Sequence, residues 1–130
     1  MRILVVEDDI FSQKFMIKLM SAYGTAEVAS DGKVAVEKAT EAIRTKTPYD
    51  LITLDIMLPE MDGQMALIEI RKAEEKLGMP KGKTTKIIMT TALDDSINVF
   101  NSYRHACDGY VTKPINRIQL QDVLSKANVI

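Results

Sequence analysis

The sequence predicts a doubly wound α/β domain, and three observations carry that prediction. Short apolar runs alternate with segments of helical length, the runs are continuous and not alternating, and the chain is long enough for one sizeable core. The first run, residues 3–6, is broken at once by Glu7, Asp8 and Asp9. It therefore reads as a buried strand and cannot serve as a signal-peptide core or a membrane span. Residues 10–22 follow as a helix, with Asp9 suited to cap it. The weaker run 26–29 is the second strand, and residues 33–44 form the second helix. There Val36, Ala39 and Ile43 share one face, while Lys33, Glu37, Lys38 and Glu41 are available for the other. Residues 51–54 give the third strand, 63–77 the third helix, 87–89 the fourth strand and 96–105 the fourth helix. The short run 110–111 is the fifth strand. Residues 117–127 form the fifth helix, with Ile118, Val123 and Leu124 set against Gln119, Gln121 and Lys126. Strands separated by helices imply a parallel sheet covered on both faces and joined by right-handed crossovers. Only residues 76–86, rich in Gly, Pro, Lys and Thr, read as an extended exposed loop.

Composition narrows the function classes. The 130 residues fit one domain, residues 1–130, with no linker or repeat. With 46% hydrophobic and 27% charged residues the chain is not of the disordered kind. Its 17 basic and 18 acidic residues nearly cancel and are interleaved, so no field favours nucleic acid or anionic lipid. Direct DNA binding and membrane insertion are not expected. Cys107 is the single cysteine, which excludes an internal disulfide, points to the cytoplasm and suits a core filler. His105 is the single histidine and cannot build a metal site with others.

In doubly wound folds, ligands sit beyond the carboxyl ends of the strands. Glu7, Asp8 and Asp9 follow the first strand, Asp55 the third, Thr90 and Thr91 the fourth, and Lys113 the fifth. All are thereby directed to one edge of the sheet. Carboxylates gathered there repel one another unless a divalent cation or an ammonium group neutralises them. Mg²⁺, for which Mn²⁺ could substitute, and the amine of Lys113 would supply that charge. Mg²⁺ takes few carboxylates and completes its shell with water and phosphate oxygens, and a carboxylate is a known phosphoryl-accepting nucleophile.

Four strings at these strand ends carry a family resemblance. They are residues 3–8 (Ile-Leu-Val-Val-Glu-Asp), 55–63 (Asp-Ile-Met-Leu-Pro-Glu-Met-Asp-Gly), Thr91 with Ala92, and 110–114 (Tyr-Val-Thr-Lys-Pro). Together, in this order, the chain resembles the CheY-like receiver domains of response regulators over essentially its whole length. The resemblance implies a flavodoxin-like sheet of strand order 2-1-3-4-5 with five helices. It implies a phosphoacceptor in two-component signal transduction, taking a phosphoryl group onto Asp55 from a histidine kinase or histidine phosphotransfer protein. Asp8, Asp55 and the backbone carbonyl of Met57 would ligate Mg²⁺, with Glu7 acting through a water. Lys113 would pair with Asp55 at rest and with the phosphoryl group afterwards. Thr91 would hydrogen-bond the phosphoryl group, Tyr110 would swing inward, and the bond before Pro114 would be cis. The fourth helix, fifth strand and fifth helix would present the switched surface to a downstream protein target. A phosphorylation-linked dimer is compatible with this reading.

Glu7 stands where the family more often has Asp, which a water-mediated role tolerates. Met57 and Leu93 lie two residues after Asp55 and Thr91, positions that by the resemblance border the path of the hydrolytic water, and both are apolar. Neither can orient a hydrolytic water, which implies slow self-dephosphorylation. Such a chain would not be a dedicated enzyme, although it would catalyse its own phosphorylation and dephosphorylation. An aspartyl-phosphate phosphatase would need a second Asp where Met57 stands, and a pseudo-receiver binding module would not need Asp8, Asp55, Thr91 and Lys113 together. A stand-alone chemotaxis-type or phosphorelay regulator is favoured, because no linker to an output domain begins after residue 127. The alternative is a receiver domain excised from a larger regulator or hybrid kinase.

Overall fold

The apolar runs lie side by side at the centre of a computed structural model that describes residues 1–92 and 106–130. The described elements are β1 (Arg2–Val6), α1 (Ile10–Met20), β2 (Thr25–Ala29), α2 (Gly32–Arg44), β3 (Leu51–Asp55), α3 (Gly63–Lys76), β4 (Lys86–Thr91), β5 (Gly109–Thr112) and α4 (Arg117–Lys126). All strand pairs are parallel and the order is β2-β1-β3-β4-β5. The expected helix over 96–105, with His105 and Leu93, lies outside the described residues.

Strand periodicity divides the core in two. Successive residues point to opposite faces, so Leu4, Val6, Ile52, Leu54, Ile87 and Met89 pack against α2 and α3 through Ala35, Ala39, Leu67 and Ile70. Their neighbours Ile3, Val5, Leu51, Ile88 and Val111 pack against α1 and α4 through Met16, Met20, Leu120 and Leu124. Each fully buried aliphatic side chain contributes on the order of 1.5–3 kcal/mol of transfer free energy. With both faces covered, the strand ends are where the sheet offers functional groups. Cys107 is buried, as expected of a core filler.

Three boundaries or faces differ from the sequence reading. β4 continues through Thr90 and Thr91, which are strand residues and do not follow the strand. The inward face of α4 is Leu120 and Leu124, whereas Ile118 is 82% exposed. Ile118 lies two positions before Leu120, about 200° around the helix. The loop after α3 is also not exposed throughout: Thr85 is buried, its amide donating to Glu74 Oε2 and its hydroxyl to the Tyr49 carbonyl.

Candidate functional site

A parallel sheet brings all its carboxyl ends to one edge, and here that edge collects charge. Glu7 follows β1 directly, and its amide extends the ladder to the Ala29 carbonyl at 3.1 Å. Asp55 is the last residue of β3, in register with Thr90. Lys113 follows β5, its amide donating to the Thr91 carbonyl at 2.7 Å. Its ammonium lies 3.0 Å from Asp55 Oδ2 and 3.4 Å from Glu7 Oε1. Glu7 and Asp55 are 5% and 4% exposed, so this contact is largely withdrawn from water. Asp8 is exposed at the rim, yet one carboxylate oxygen from each of Glu7, Asp8 and Asp55 lies within 4.8 Å of the others.

Three carboxylates thus face one ammonium. Burial, followed by the hydrogen bond and repulsion from Asp55, pushes the Glu7 carboxyl from 4.5 up to about 8, with Lys113 pulling the other way. Burial works against the Lys113 ammonium, but hydrogen bonding and charge from Asp55, and then Glu7, raise its pKa above the usual value. Beyond burial, the two shifts share a cause: the cluster holds more negative than positive charge. A proton on Glu7 relieves part of the deficit, and a hard divalent cation would relieve more. The all-oxygen set of Glu7, Asp8 and Asp55, within 4.8 Å of one another, fits a hard divalent cation such as Mg²⁺.

The remaining expected residues surround this cluster. Met57 donates its amide to Asp55 Oδ1 at 3.3 Å, and its side chain is 71% exposed. Thr91 is buried at the end of β4, with its hydroxyl donating to the Ala92 carbonyl at 3.3 Å. Tyr110 is half-buried and packs on the α2/α3 side of the sheet, in register with Met89. The Lys113–Pro114 peptide is cis. Asp9 takes no part in the acidic cluster. It caps α1, its carboxylate accepting from the Ser12 amide and hydroxyl at 2.9 Å each.

Two features were not anticipated. A cleft of about 310 Å³ opens beside Glu7 and Lys113, bordered by Phe11, Phe15, Pro114 and Ile115. Phe11, which borders it from α1, is 83% exposed, and its chain neighbour Ile10 is 61% exposed. The second feature is glycine at the start of two helices: Asp31-Gly32 opens α2 and Asp62-Gly63 opens α3, each Asp being the cap. The repeated Asp-Gly pair was the available signal.

Comparison with known proteins agrees with this geometry. Residues 3–125 match the family described as "Response regulator receiver domain". The chain is 29% identical over 127 residues to the osmosensing histidine protein kinase SLN1 of Saccharomyces cerevisiae, covering 96% of this chain and 10% of that protein. It is 29% identical over 129 residues to the response regulator ArlR of Staphylococcus epidermidis, covering 98% and 51% respectively. Hence it spans about a tenth of the histidine kinases it matches and about half of that regulator. Among solved structures, the receiver domain of the histidine kinase CKI1 from Arabidopsis thaliana complexed with Mg²⁺ superposes with a TM-score of 0.82 at 30% identity, covering 96% of this chain and 90% of that one. The same domain with Mg²⁺ and BeF₃⁻ gives 0.78 at 28% identity over 95% and 89%.

Proposed function

The chain belongs to the response regulator receiver domain family, and from that premise we propose that residues 1–130 form one phosphoacceptor unit that takes a phosphoryl group onto Asp55 from a phosphohistidine. The observation that carries the reading is the paired cluster of Asp55 and Lys113, 3.0 Å apart, beside the carboxylates of Glu7 and Asp8. In the transfer, an Asp55 carboxylate oxygen forms the new P–O bond as the P–N bond to the donor imidazole breaks, and the electron pair leaves with the imidazole nitrogen. Asp8 and Asp55, with the Met57 carbonyl, would hold Mg²⁺, and Glu7 would act through a water. The bound ion supplies charge neutralisation on the phosphoryl oxygens. Lys113 moves its ammonium from Asp55 to a phosphoryl oxygen as the product forms. Thr91 follows with its hydroxyl, and Tyr110 turns inward. Within the described residues, β5 and α4 would carry the resulting change to a downstream protein.

A protein donor must bring its imidazole over Asp55, and the apolar rim of Ile10, Phe11 and Phe15 suits such a partner. No helix among the described residues is long and apolar enough to cross a membrane; the reading places the unit in the cytoplasm. Relatives that are hybrid or sensor kinases support a second reading for the whole protein, in which this unit is one section of a longer kinase.

Intact mass after incubation with acetyl phosphate tests the chemistry. The expected result is one phosphoryl adduct that requires Mg²⁺ and is lost in Asp55→Asn. An adduct that persists in Asp55→Asn overturns the assignment. The lifetime of the adduct tests Met57: its exposed thioether cannot orient a water, so Met57→Asn is expected to shorten the lifetime several-fold. An unchanged lifetime removes Met57 from that role.

A further inference from the structure

The loop between β3 and α3 carries Met57, and its course is held from outside the site. Ile56 extends the sheet with its amide on the Thr90 carbonyl at 3.1 Å, and Gly63 closes the loop with its amide on the Ile56 carbonyl at 2.8 Å. Between them the chain makes a tight three-residue turn, the Met61 amide donating to the Pro59 carbonyl at 2.7 Å, with Glu60 at φ 66°. Such a turn is strained for a residue with a side chain and persists only where its surroundings impose it. What abuts it is the first residue of α2. A Cβ built on Gly32 would stand 1.9 Å from the Met61 carbonyl oxygen and 2.8 Å from its carbon. Gly63 meets the nucleophile's own backbone in the same way, a Cβ there falling 2.1 Å from the Asp55 carbonyl oxygen.

We propose that Gly32 of α2 is a positioning residue for the phosphoacceptor site: its bare backbone is the backstop against which the loop bearing Met57 is set. The proposal rests on the function given above. A methyl group at Gly32 forces a displacement of more than 1 Å to reach an ordinary contact. α2 cannot readily give way, because Ala35, Ala39 and Ala42 bury it against the sheet and α3. The strand end cannot give way either, since Asp55 and Ile56 are fixed in the ladder. The displacement therefore falls on the loop, and the Met57 carbonyl shifts relative to Asp55.

The test is Mg²⁺ affinity by calorimetry on the unphosphorylated chain, with Asp55–Asp62 amide shifts by NMR in the absence of metal. Gly32→Ala is compared with Ala39→Gly, which destabilises the same helix without touching the loop. The expected result is an affinity about 10-fold lower for Gly32→Ala and native-like for Ala39→Gly, since mutating residues that support metal ligands typically costs about 10- to 100-fold. The loop amides should shift in Gly32→Ala alone. Equal losses in both variants, or native affinity in Gly32→Ala, overturn the proposal. If Gly32→Ala does not fold, Asp31→Ala loosens the same backstop by removing the cap on the Val34 amide. A roughly 3-fold loss of affinity is then expected, and native affinity overturns the idea. A native chain that binds no Mg²⁺ overturns this inference together with the metal reading. A native chain that binds Mg²⁺ normally while Gly32→Ala does too sinks this inference alone.

Discussion

The two edges of the sheet both gather charge, and they settle it in opposite ways. At the amino edge of β4 and β5, Glu74 is 2% exposed, yet both its oxygens are occupied, by Arg71 Nη1 at 2.7 Å and the Thr85 amide at 2.8 Å. Arg71 also donates to the Thr85 carbonyl at 2.8 Å and the Ala106 carbonyl at 2.6 Å, and to Asp108 Oδ2 at 3.0 Å. Asp108 in turn accepts the Ile87 amide at 2.8 Å. At the carboxyl edge, Glu7 and Asp55 share the Lys113 ammonium while Asp8 adds a third carboxylate within 4.8 Å, and among the described residues no second cation pairs with them. The amino edge is a closed network that braces α3 against β4 and β5. The carboxyl edge is left with an excess of negative charge, which a divalent cation would neutralise. A buried charged cluster reads as functional when its charges do not balance, and not because charges are buried.

The sharpest way to break this comparison is to open the closed edge. Glu74→Ala removes the buried acceptor of both Arg71 and the Thr85 amide, and should cost about 3 kcal/mol in urea unfolding. Phosphorylation by acetyl phosphate at low temperature should persist. If Glu74→Ala is as stable as the native chain, the brace is not one. The paired measurement is Asp55→Asn, which removes charge from the crowded edge and should leave metal-free stability unchanged or higher.

A smaller effect sharpens the comparison through pH. Because the Glu7 carboxyl is raised from 4.5 to about 8, the folded chain keeps a proton that the unfolded chain releases. Metal-free stability is then fully present below pH 4.5 and declines as pH rises toward about 8. Glu7→Gln should flatten this decline, measured as urea midpoints at pH 5 and pH 8. A Glu7→Gln chain that loses as much as the native one across that interval refutes the raised Glu7 carboxyl as the source of the decline. Saturating Mg²⁺ should flatten the native profile in the same way.

The two edges also differ in how far they could be read from sequence. Asp55, Glu7 and Lys113 were legible because continuous apolar runs mark buried parallel strands, and parallel strands deliver whatever follows them to one edge. Glu74 was not legible: an acidic residue late in a helix with lysines around it resembles a solvated face, and only the return of the chain at Thr85 makes it an acceptor. Ile118 misled for a related reason. α4 holds few apolar residues, and its docked face is chosen by Leu120 and Leu124 against Val111 and Ile88. The repeated Asp-Gly pair could mark Gly32 as the start of a helix, but not its contact with Met61, a neighbour brought close only by the fold. Local pattern exposes what a strand end presents, whereas close approaches between elements are properties of the packed molecule.

The finest division is within the acidic run after β1, where adjacent residues fall on different sides of the comparison. Glu7 and Asp8 join the unbalanced cluster, whereas Asp9 is satisfied locally by the Ser12 amide and hydroxyl. Asp9→Ala removes the cap of α1 and should lower stability by about 1 kcal/mol. Its effect on Mg²⁺ affinity should be less than about 2-fold, since an exposed charge outside the cluster acts only through a screened field. Asp8→Ala should show the reverse: little change in stability without metal and loss of Mg²⁺ binding. The pair of measurements separates a carboxylate that holds a helix from one that holds an ion. If Asp9→Ala lowered Mg²⁺ affinity as much as Asp8→Ala, the boundary of the site would have to be moved to include the first turn of α1.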